Sequence, residues 1–145
     1  MKTFEYHRPS SAADAAALLA ANADAKPIAG GMTLLPTMKM RLAQPETLVD
    51  LSAIPDLAGI TVEGGTVTVG AMTRHAEVAA SAEVKAAIPA LAALAGGIGD
   101  PQVRHRGTIG GSIANADPAA DYPAAVLGLG ATVVTDRREI PGGTF

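Results

Sequence analysis

The chain has 145 residues, 48% of them hydrophobic, and a formal net charge of −3 at pH 7. This length suits one domain with its own core, while the scattered charges and the few aromatic residues argue against nucleic-acid binding. Because the sequence contains no cysteine, its composition excludes disulfides, cysteine nucleophiles and a cysteine-ligated iron–sulfur cluster within this chain.

The first fifty residues alternate between strand and helix patterns. Ser11, followed by Asp14 three residues later, is typical of a helix start, and apolar residues at helical spacing predict a helix over Ala12–Ala21. Short strands are predicted around this helix, at Thr3–His7, Lys26–Ala29 and Thr47–Leu51. The N-terminus lacks the apolar run of a secretory signal. The longest apolar stretch, Ile88–Gly99, is too short to span a bilayer, so we expect a cytoplasmic protein without a transmembrane segment.

A glycine pair follows the second predicted strand. Residues 29–33, the first glycine segment, read Ala-Gly-Gly-Met-Thr. Glycine has no Cβ, so its backbone can approach a ligand closely, and successive amide groups can form a concave nest for an anion. Most Gly-Gly pairs are simply turns, and this pair alone is therefore weak evidence for a binding site.

The middle of the chain predicts one hairpin and three helices. Ile60–Glu63 and Thr66–Val69 alternate in polarity around Gly64-Gly65, which predicts a two-residue turn with Val62 opposite Val67 and Ile60 opposite Val69. The three helices are predicted from a Thr73 cap through Ala80, from a Ser81 cap through Ala87, and over Ala90–Ala95 after Pro89.

The stretch from Arg104 to Pro123 holds the strongest candidate site. It contains Gly107, Gly110 and Gly111 with hydroxyl residues between them, and residues 107–112 are called the second glycine segment below. We expect this stretch to be a loop that holds phosphate. Neither glycine segment fits G-x-G-x-x-G or G-x-x-x-x-G-K-[ST], which disfavours a Rossmann fold and a P-loop.

The C-terminal part predicts a helix, a strand and part of a hairpin. The helix spans Tyr122–Leu127 and the strand spans Ala131–Thr135. The last nine residues, 137–145, are expected to begin another hairpin that the chain does not finish. The three histidines show no metal-ligand spacing, and no G-x-S-x-G elbow is present, so neither a metal site nor a hydrolase triad is predicted.

Two long stretches, Pro27–Leu51 and Gly99–Val133, resemble the FAD-binding subunit of the molybdenum hydroxylases. This family includes the medium subunit of aerobic carbon monoxide dehydrogenase and the flavin domain of xanthine dehydrogenase. The resemblance implies an α+β fold of the vanillyl-alcohol oxidase type, with two small sheets flanked by helices. It also implies FAD as the cofactor and no catalytic residue in this chain. Since family members continue beyond this point, we expect residues 1–145 to be a truncated FAD-binding domain without the family's C-terminal domain.

The same resemblance implies which residues contact FAD. Asp121 stands where the family has an acid that binds the ribityl chain, although it can equally cap the helix that follows. At Met32 the backbone amide is the group expected to matter. The full set of cofactor-binding residues implied by the resemblance is Lys26, Ala29, Gly30, Gly31, Met32, Thr33, Leu34, Thr108, Ile109, Gly110, Gly111, Ser112, Asn115 and Asp121.

The resemblance also implies a hetero-oligomer. Its partners would be a small iron–sulfur subunit and a large molybdopterin subunit, and electrons would pass from the clusters through FAD to a terminal acceptor. Two alternatives stay open from the sequence: a self-contained flavin oxidoreductase, and a non-catalytic scaffold subunit that has lost its flavin. A protein that oxidises a small substrate without partners would favour the first, and one without flavin would favour the second.

Overall fold

A computed structural model describes residues 1–144 of the chain, which form eight α-helices and seven β-strands. The single residue beyond them, Phe145, ends the predicted C-terminal hairpin and lies outside the described residues. In chain order the elements are β1 (Glu5–His7), α1 (Ala12–Ala21), β2 (Ala25–Ile28), α2 (Leu34–Lys39), β3 (Thr47–Asp50), β4 (Ile60–Glu63), β5 (Thr66–Val69), α3 (His75–Ala80), α4 (Ala82–Ala87), α5 (Pro89–Gly97), α6 (Pro101–Arg104), α7 (Ile109–Asn115), α8 (Tyr122–Gly128), β6 (Thr132–Val134) and β7 (Glu139–Pro141).

The N-terminal strands form a parallel sheet in the order β1-β3-β2. The last strand in sequence lies in the middle, which is why β3 is the most buried of the three and Val49 is fully buried. Helix α1 packs beside this sheet, and Ala15, Val49 and Ile54 form a small core with leucines of the helix. The predicted cap of α1 is confirmed, since the Ser11 hydroxyl accepts a hydrogen bond from the Asp14 amide.

The β4–β5 hairpin has the predicted register. Ile60 pairs with Val69 and Val62 with Val67 across an antiparallel ladder. Gly64 and Gly65 both have positive φ, at 57° and 81°, as a tight turn of this type requires. A two-residue turn fixes which residues of the two strands face each other, so the register of this hairpin follows directly from the local sequence.

The main core is helical and lies in the second half of the chain. Helices α3, α4, α5 and α8 enclose it, and alanines on α5 let α3 approach closely. Tyr122 is its largest fully buried side chain. The remaining buried members of this core are Val78, Val84, Leu91, Ala92 and Ala95.

The C-terminal strands depart from the prediction. Rather than starting an unfinished hairpin, residues of β7 turn back and pair with β6 in an antiparallel ladder. The α+β class is confirmed, but residues 1–144 contain three small sheets instead of the two predicted. The Gly142 amide donates to the Ala131 carbonyl just before β6 at 2.7 Å, and a Cβ on Gly142 would clash with the Val126 carbonyl of α8, so this glycine lets the third sheet pack against α8.

The predicted cap of α3 is wrong. Thr73 does not cap α3; its hydroxyl instead bonds both the amide and the carbonyl of Gly59 at 3.0 Å. Helix α3 begins one residue later, where the Arg74 amide donates to the Glu77 carboxylate at 2.8 Å. Burial explains the difference, because Thr73 is only 1% exposed and its hydroxyl needs partners inside the fold.

Candidate functional site

The two glycine segments lie against each other. A Cβ built on Gly30 would come within 2.0 Å of the Arg106 carbonyl oxygen, and one built on Gly111 would be 3.5 Å from the Ala29 Cβ. Only a residue without a side chain permits the first of these backbone approaches. The structure therefore brings together the two segments that the sequence singled out separately.

The parallel sheet positions the first glycine segment. Strand β2 runs parallel to β3 and delivers the chain into this segment at its carboxyl end, where Ile28 pairs with Asp50. Gly31 has a φ of 74°, a left-handed conformation that turns the chain into α2. Its carbonyl then accepts a hydrogen bond from the Leu35 amide at 3.0 Å. Carboxyl ends of parallel strands are common ligand-binding edges.

The first glycine segment presents a run of free backbone donors. Within residues 1–144, the amides from Gly30 to Leu34 donate to no protein acceptor. An unpaired backbone amide costs free energy unless solvent or a ligand satisfies it. Met32 and Thr33 are exposed, and Gly30, Gly31 and Leu34 are half-buried. Five successive free donors fit an anion or another group rich in acceptor oxygens.

The second glycine segment is not the open loop that the sequence predicts. From Ile109 to Asn115 the chain is helix α7, and the Thr108 hydroxyl caps it by accepting from the Gly111 amide at 3.2 Å. The amides of Ile109 and Gly110 are also occupied. They donate to the carbonyls of Thr73 and Ala71 at 3.0 and 2.8 Å.

Few donors of the second segment therefore remain for a ligand. The Thr108 amide makes no hydrogen bond within the described part of the chain, and the Ser112 hydroxyl has none there either. Gly110 is small for a structural reason, because a Cβ there would lie 2.5 Å from the Ala71 Cβ. The first segment supplies most of the free backbone donors. The second segment supplies backbone that packs closely against the first and is held in place by its own hydrogen bonds.

The remaining predicted site residues lie around this contact. Lys26 is exposed on β2, at the strand that leads into the first segment. Asn115 is exposed at the end of α7, where Ala116 adopts a left-handed φ of 50°. Asp121 is exposed and precedes α8, and its side chain does not cap that helix. The alternative helix-capping role for Asp121 is therefore wrong.

The two arginines around His105 differ in their surroundings. Arg104 donates to the carbonyls of Ile98 and Gly99 at 3.0 and 2.9 Å, so it fixes the chain between α5 and α6. Arg106 is exposed, and its backbone carbonyl faces Gly30. Of these two arginines, Arg106 is the one whose side chain makes no hydrogen bond to the protein within residues 1–144.

Sequence reasoning missed a buried pair beneath the second glycine segment. His75 is 4% exposed and Tyr122 is fully buried. The His75 Nδ1 atom lies 3.3 Å from the Tyr122 hydroxyl. Burial lowers the pKa of His75, against an opposing effect of the nearby Asp121 carboxylate. Burial likewise raises the pKa of Tyr122, so both rings are neutral near pH 7.

A second missed cluster lies at the carboxyl end of the parallel sheet. Tyr6 donates a hydrogen bond to Asp50, and the Ser52 amide donates to the same carboxylate at 2.8 Å. Arg8 lies 3.8 Å from it. Burial raises the pKa of Asp50, but these hydrogen bonds outweigh it and hold the pKa below its ordinary value. The available signal was an aspartate as the last residue of a strand whose two middle residues are apolar.

In the described part of the chain, no cluster of three or more His, Cys, Asp or Glu side chains is placed to hold a metal ion. None of the helices in residues 1–144 has the length and apolar character needed to cross a bilayer.

Comparisons with known proteins agree on one family. The sequence profile of the "FAD binding domain in molybdopterin dehydrogenase" matches residues 2–143. The carbon monoxide dehydrogenase medium chain of Hydrogenophaga pseudoflava is 49% identical over 147 residues, covering 98% of this chain and 51% of that protein. The xanthine dehydrogenase FAD-binding subunit of Escherichia coli O157:H7 is 36% identical over 84% of this chain and 42% of its own length.

Solved structures give the same result. Carbon monoxide dehydrogenase from Hydrogenophaga pseudoflava superposes with a TM-score of 0.95 at 48% identity, covering 98% of this chain and 51% of that one. Quinoline 2-oxidoreductase from Pseudomonas putida 86 superposes with a TM-score of 0.92 at 36% identity, covering 98% of this chain and 52% of that one. The chain thus spans about half the length of the relatives that it matches.

Proposed function

Because the chain belongs to the family of FAD-binding domains of molybdopterin dehydrogenases, we propose that it binds FAD between its two glycine segments. The observation that carries this proposal is the run of free amides from Gly30 to Leu34. The pyrophosphate of FAD is an anion rich in acceptor oxygens, and such a run of donors matches it. Arg106, whose backbone carbonyl faces Gly30, is exposed and adds a positive charge to this part of the surface.

The donor set divides between the two segments. In this proposal the first segment supplies most of the amides, while the second supplies the Thr108 amide, the Ser112 hydroxyl and a close backbone wall. Asp121 is exposed and its carboxylate can accept hydrogen bonds from ribityl hydroxyls. The residues assigned to the cofactor are Lys26, Ala29, Gly30, Gly31, Met32, Thr33, Leu34, Thr108, Ile109, Gly110, Gly111, Ser112, Asn115 and Asp121.

The proposed role of the whole protein is that of a flavoprotein subunit in a molybdenum-containing hydroxylase or dehydrogenase of the cytoplasm. When bound, FAD would supply the redox chemistry, passing electrons from iron–sulfur clusters of a partner subunit to a terminal acceptor. The residues of this chain bind and orient the flavin. Among residues 1–144 no group of three or more His, Cys, Asp or Glu side chains is placed to hold a metal ion. In this proposal the iron–sulfur clusters and the molybdopterin belong to other subunits.

Equilibrium titration with FAD tests the binding site. Gly31→Ala forces a side chain into a left-handed conformation with φ of 74° within the run of free amides. Gly130→Ala is the matched control, because its φ is 59° and nothing lies within 4 Å of the added Cβ. We expect Gly31→Ala to lose FAD binding while Gly130→Ala keeps it. Equal affinity in both variants would refute the assigned site, and no binding by the parent protein would favour the scaffold alternative.

Anaerobic reduction tests the role in the complex. We expect the protein alone to keep its flavin oxidised when a hydroxylase substrate is added. The complex purified with iron–sulfur and molybdenum subunits should bleach the flavin absorbance under the same conditions. Bleaching of the protein alone by substrate would contradict the relay and favour a self-contained oxidoreductase.

A further inference from the structure

The pair formed by His75 and Tyr122 connects three parts of the candidate site. His75 begins α3, Tyr122 begins α8, and the second glycine segment lies above the imidazole. Both side chains are nearly or fully buried, yet neither takes part in the FAD contacts assigned above. Burying a polar group without a hydrogen-bond partner costs free energy. Two polar rings inside an apolar core therefore indicate that their hydrogen bond has a role in the fold or in the site.

The His75 ring fits tightly under Gly107. A Cβ on Gly107 would lie 2.6 Å from the His75 Nε2 atom, so the ring takes the space that a side chain would fill. The His75 amide also donates to the Gly107 carbonyl at 3.0 Å. One residue thus holds the start of the second glycine segment through both its backbone and its side chain.

The distance between the Tyr122 hydroxyl and the His75 Nδ1 atom, 3.3 Å, allows either group to donate, and the tautomer of His75 sets which one does. Within residues 1–144 the Tyr122 hydroxyl has one hydrogen-bond partner, the His75 Nδ1 atom. Donation by the hydroxyl leaves Nδ1 as the acceptor and places the imidazole proton on Nε2. Burial favours a neutral ring, and the facing charge is the Asp121 carboxylate beside Tyr122.

Resting on the function proposed above, we propose that His75 and Tyr122 are a positioning pair for the flavin site. His75, neutral and protonated on Nε2, is fixed by the Tyr122 hydroxyl and in turn fixes Gly107. Because Tyr122 directly follows Asp121, the same hydrogen bond sets the second glycine segment relative to the carboxylate assigned to the ribityl chain. The pair pre-orders both groups before the cofactor binds, which lowers the cost of ordering them on binding.

Three variants of the protein at its full natural length test this role. Tyr122→Phe removes only the hydroxyl, and His75→Leu removes both ring nitrogens. His75→Asn keeps a polar group near the position of Nδ1 and is the conservative rescue. Losing one buried hydrogen bond corresponds to roughly a three- to tenfold change in an equilibrium constant. We expect FAD affinity to fall by about this factor in Tyr122→Phe and His75→Leu, and to recover largely in His75→Asn.

Two further measurements separate positioning from stability. Nitrogen-15 NMR of the parent should show His75 protonated on Nε2 alone, and Tyr122→Phe should give a mixture of tautomers. Val84→Ala is the stability control, because Val84 is fully buried in the same core but lies on α4. We expect it to lower the melting temperature without changing FAD affinity.

The outcomes of these experiments are distinguishable. Normal FAD binding by the parent, with equal affinity in Tyr122→Phe, would refute the positioning role and leave the proposed function standing. A parent His75 protonated on Nδ1 would refute it as well. If the parent does not bind FAD at all, the proposed function fails first and the positioning role fails with it.

Discussion

Replacing Gly30 with alanine tests whether the backbone contact between the two glycine segments holds the candidate site together. The added Cβ would lie 2.0 Å from the Arg106 carbonyl oxygen, 2.7 Å from its carbonyl carbon and 2.8 Å from the Gly107 Cα. All three are backbone atoms, so no side chain can rotate away to make room. The two segments themselves have to move apart.

The size of the effect follows from these distances. Ordinary contact begins near 3.4 Å, so the shortest distance must grow by about 1.4 Å. Such overpacking typically costs about 1–3 kcal/mol of folding free energy. A shift of this size also exceeds the range over which a hydrogen bond keeps good geometry. A ligand gripped by both segments would then lose its bonds to one of them, and we expect FAD affinity to fall at least about tenfold.

Urea unfolding followed by circular dichroism, together with FAD titration, measures both consequences. Gly97→Ala is the matched control, since that glycine lies in α5 with nothing within 4 Å of the added Cβ. Alanine is the better helix former by up to about 1 kcal/mol, so the control should be neutral or slightly more stable. If Gly30→Ala matched its parent in both stability and FAD affinity, the inferred contact between the segments would be refuted.

Three other predictions concern single side chains. Asp121→Ala should weaken FAD binding by about 1.5–3 kcal/mol, the usual loss for a hydrogen bond to a charged group. The melting temperature should not change, because this side chain caps no helix. An unchanged FAD affinity in the titration would show that Asp121 is not part of the site. The stability of the parent should fall as pH drops below the ordinary His75 pKa of 6.5, because the unfolded chain then binds a proton that the folded chain resists. His75→Asn should lack that part of the pH profile of the melting temperature, and an identical profile would contradict it. Asp50 should also make stability fall with decreasing pH, but in a more acidic range. Its stabilising effect is present above its ordinary pKa of 3.8 and is lost as the pH falls through the lower pKa of the folded protein. Tyr6→Phe should reduce this acid-dependent loss of stability, and an unaltered loss would contradict the assigned hydrogen bond.

The parts of the fold that sequence could predict are those fixed by neighbouring residues. The β4–β5 register follows from a two-residue turn, and the α1 cap follows from Ser11 and Asp14. Helix α7 was missed because Gly110 and Gly111 are among the poorest helix formers. Tertiary contacts override this preference, since the Gly110 amide bonds the Ala71 carbonyl and the missing Cβ allows the approach.

The candidate site shows the same division. Both glycine segments were visible as local patterns, and their family resemblance agrees with the matched profile. Which amides are already occupied inside the protein could not be read from either pattern, because the acceptors at Thr73 and Ala71 lie far away in sequence. The partnership of His75 with Tyr122 joins residues 47 positions apart, and no local periodicity reports such a contact.

The contact between Gly30 and Arg106 has a consequence for folding kinetics. These residues are 76 positions apart, and they belong to regions with separate cores, one around Val49 and one around Tyr122. Because closing so long a loop has a large entropic cost, we expect this contact to form late in folding. A partly folded chain with only one core formed then has no complete site. A cofactor that recognises both segments cannot speed the early steps of folding. Its binding instead slows unfolding, because it must dissociate before the two cores can separate. We therefore expect bound cofactor to lengthen the lifetime of the folded chain.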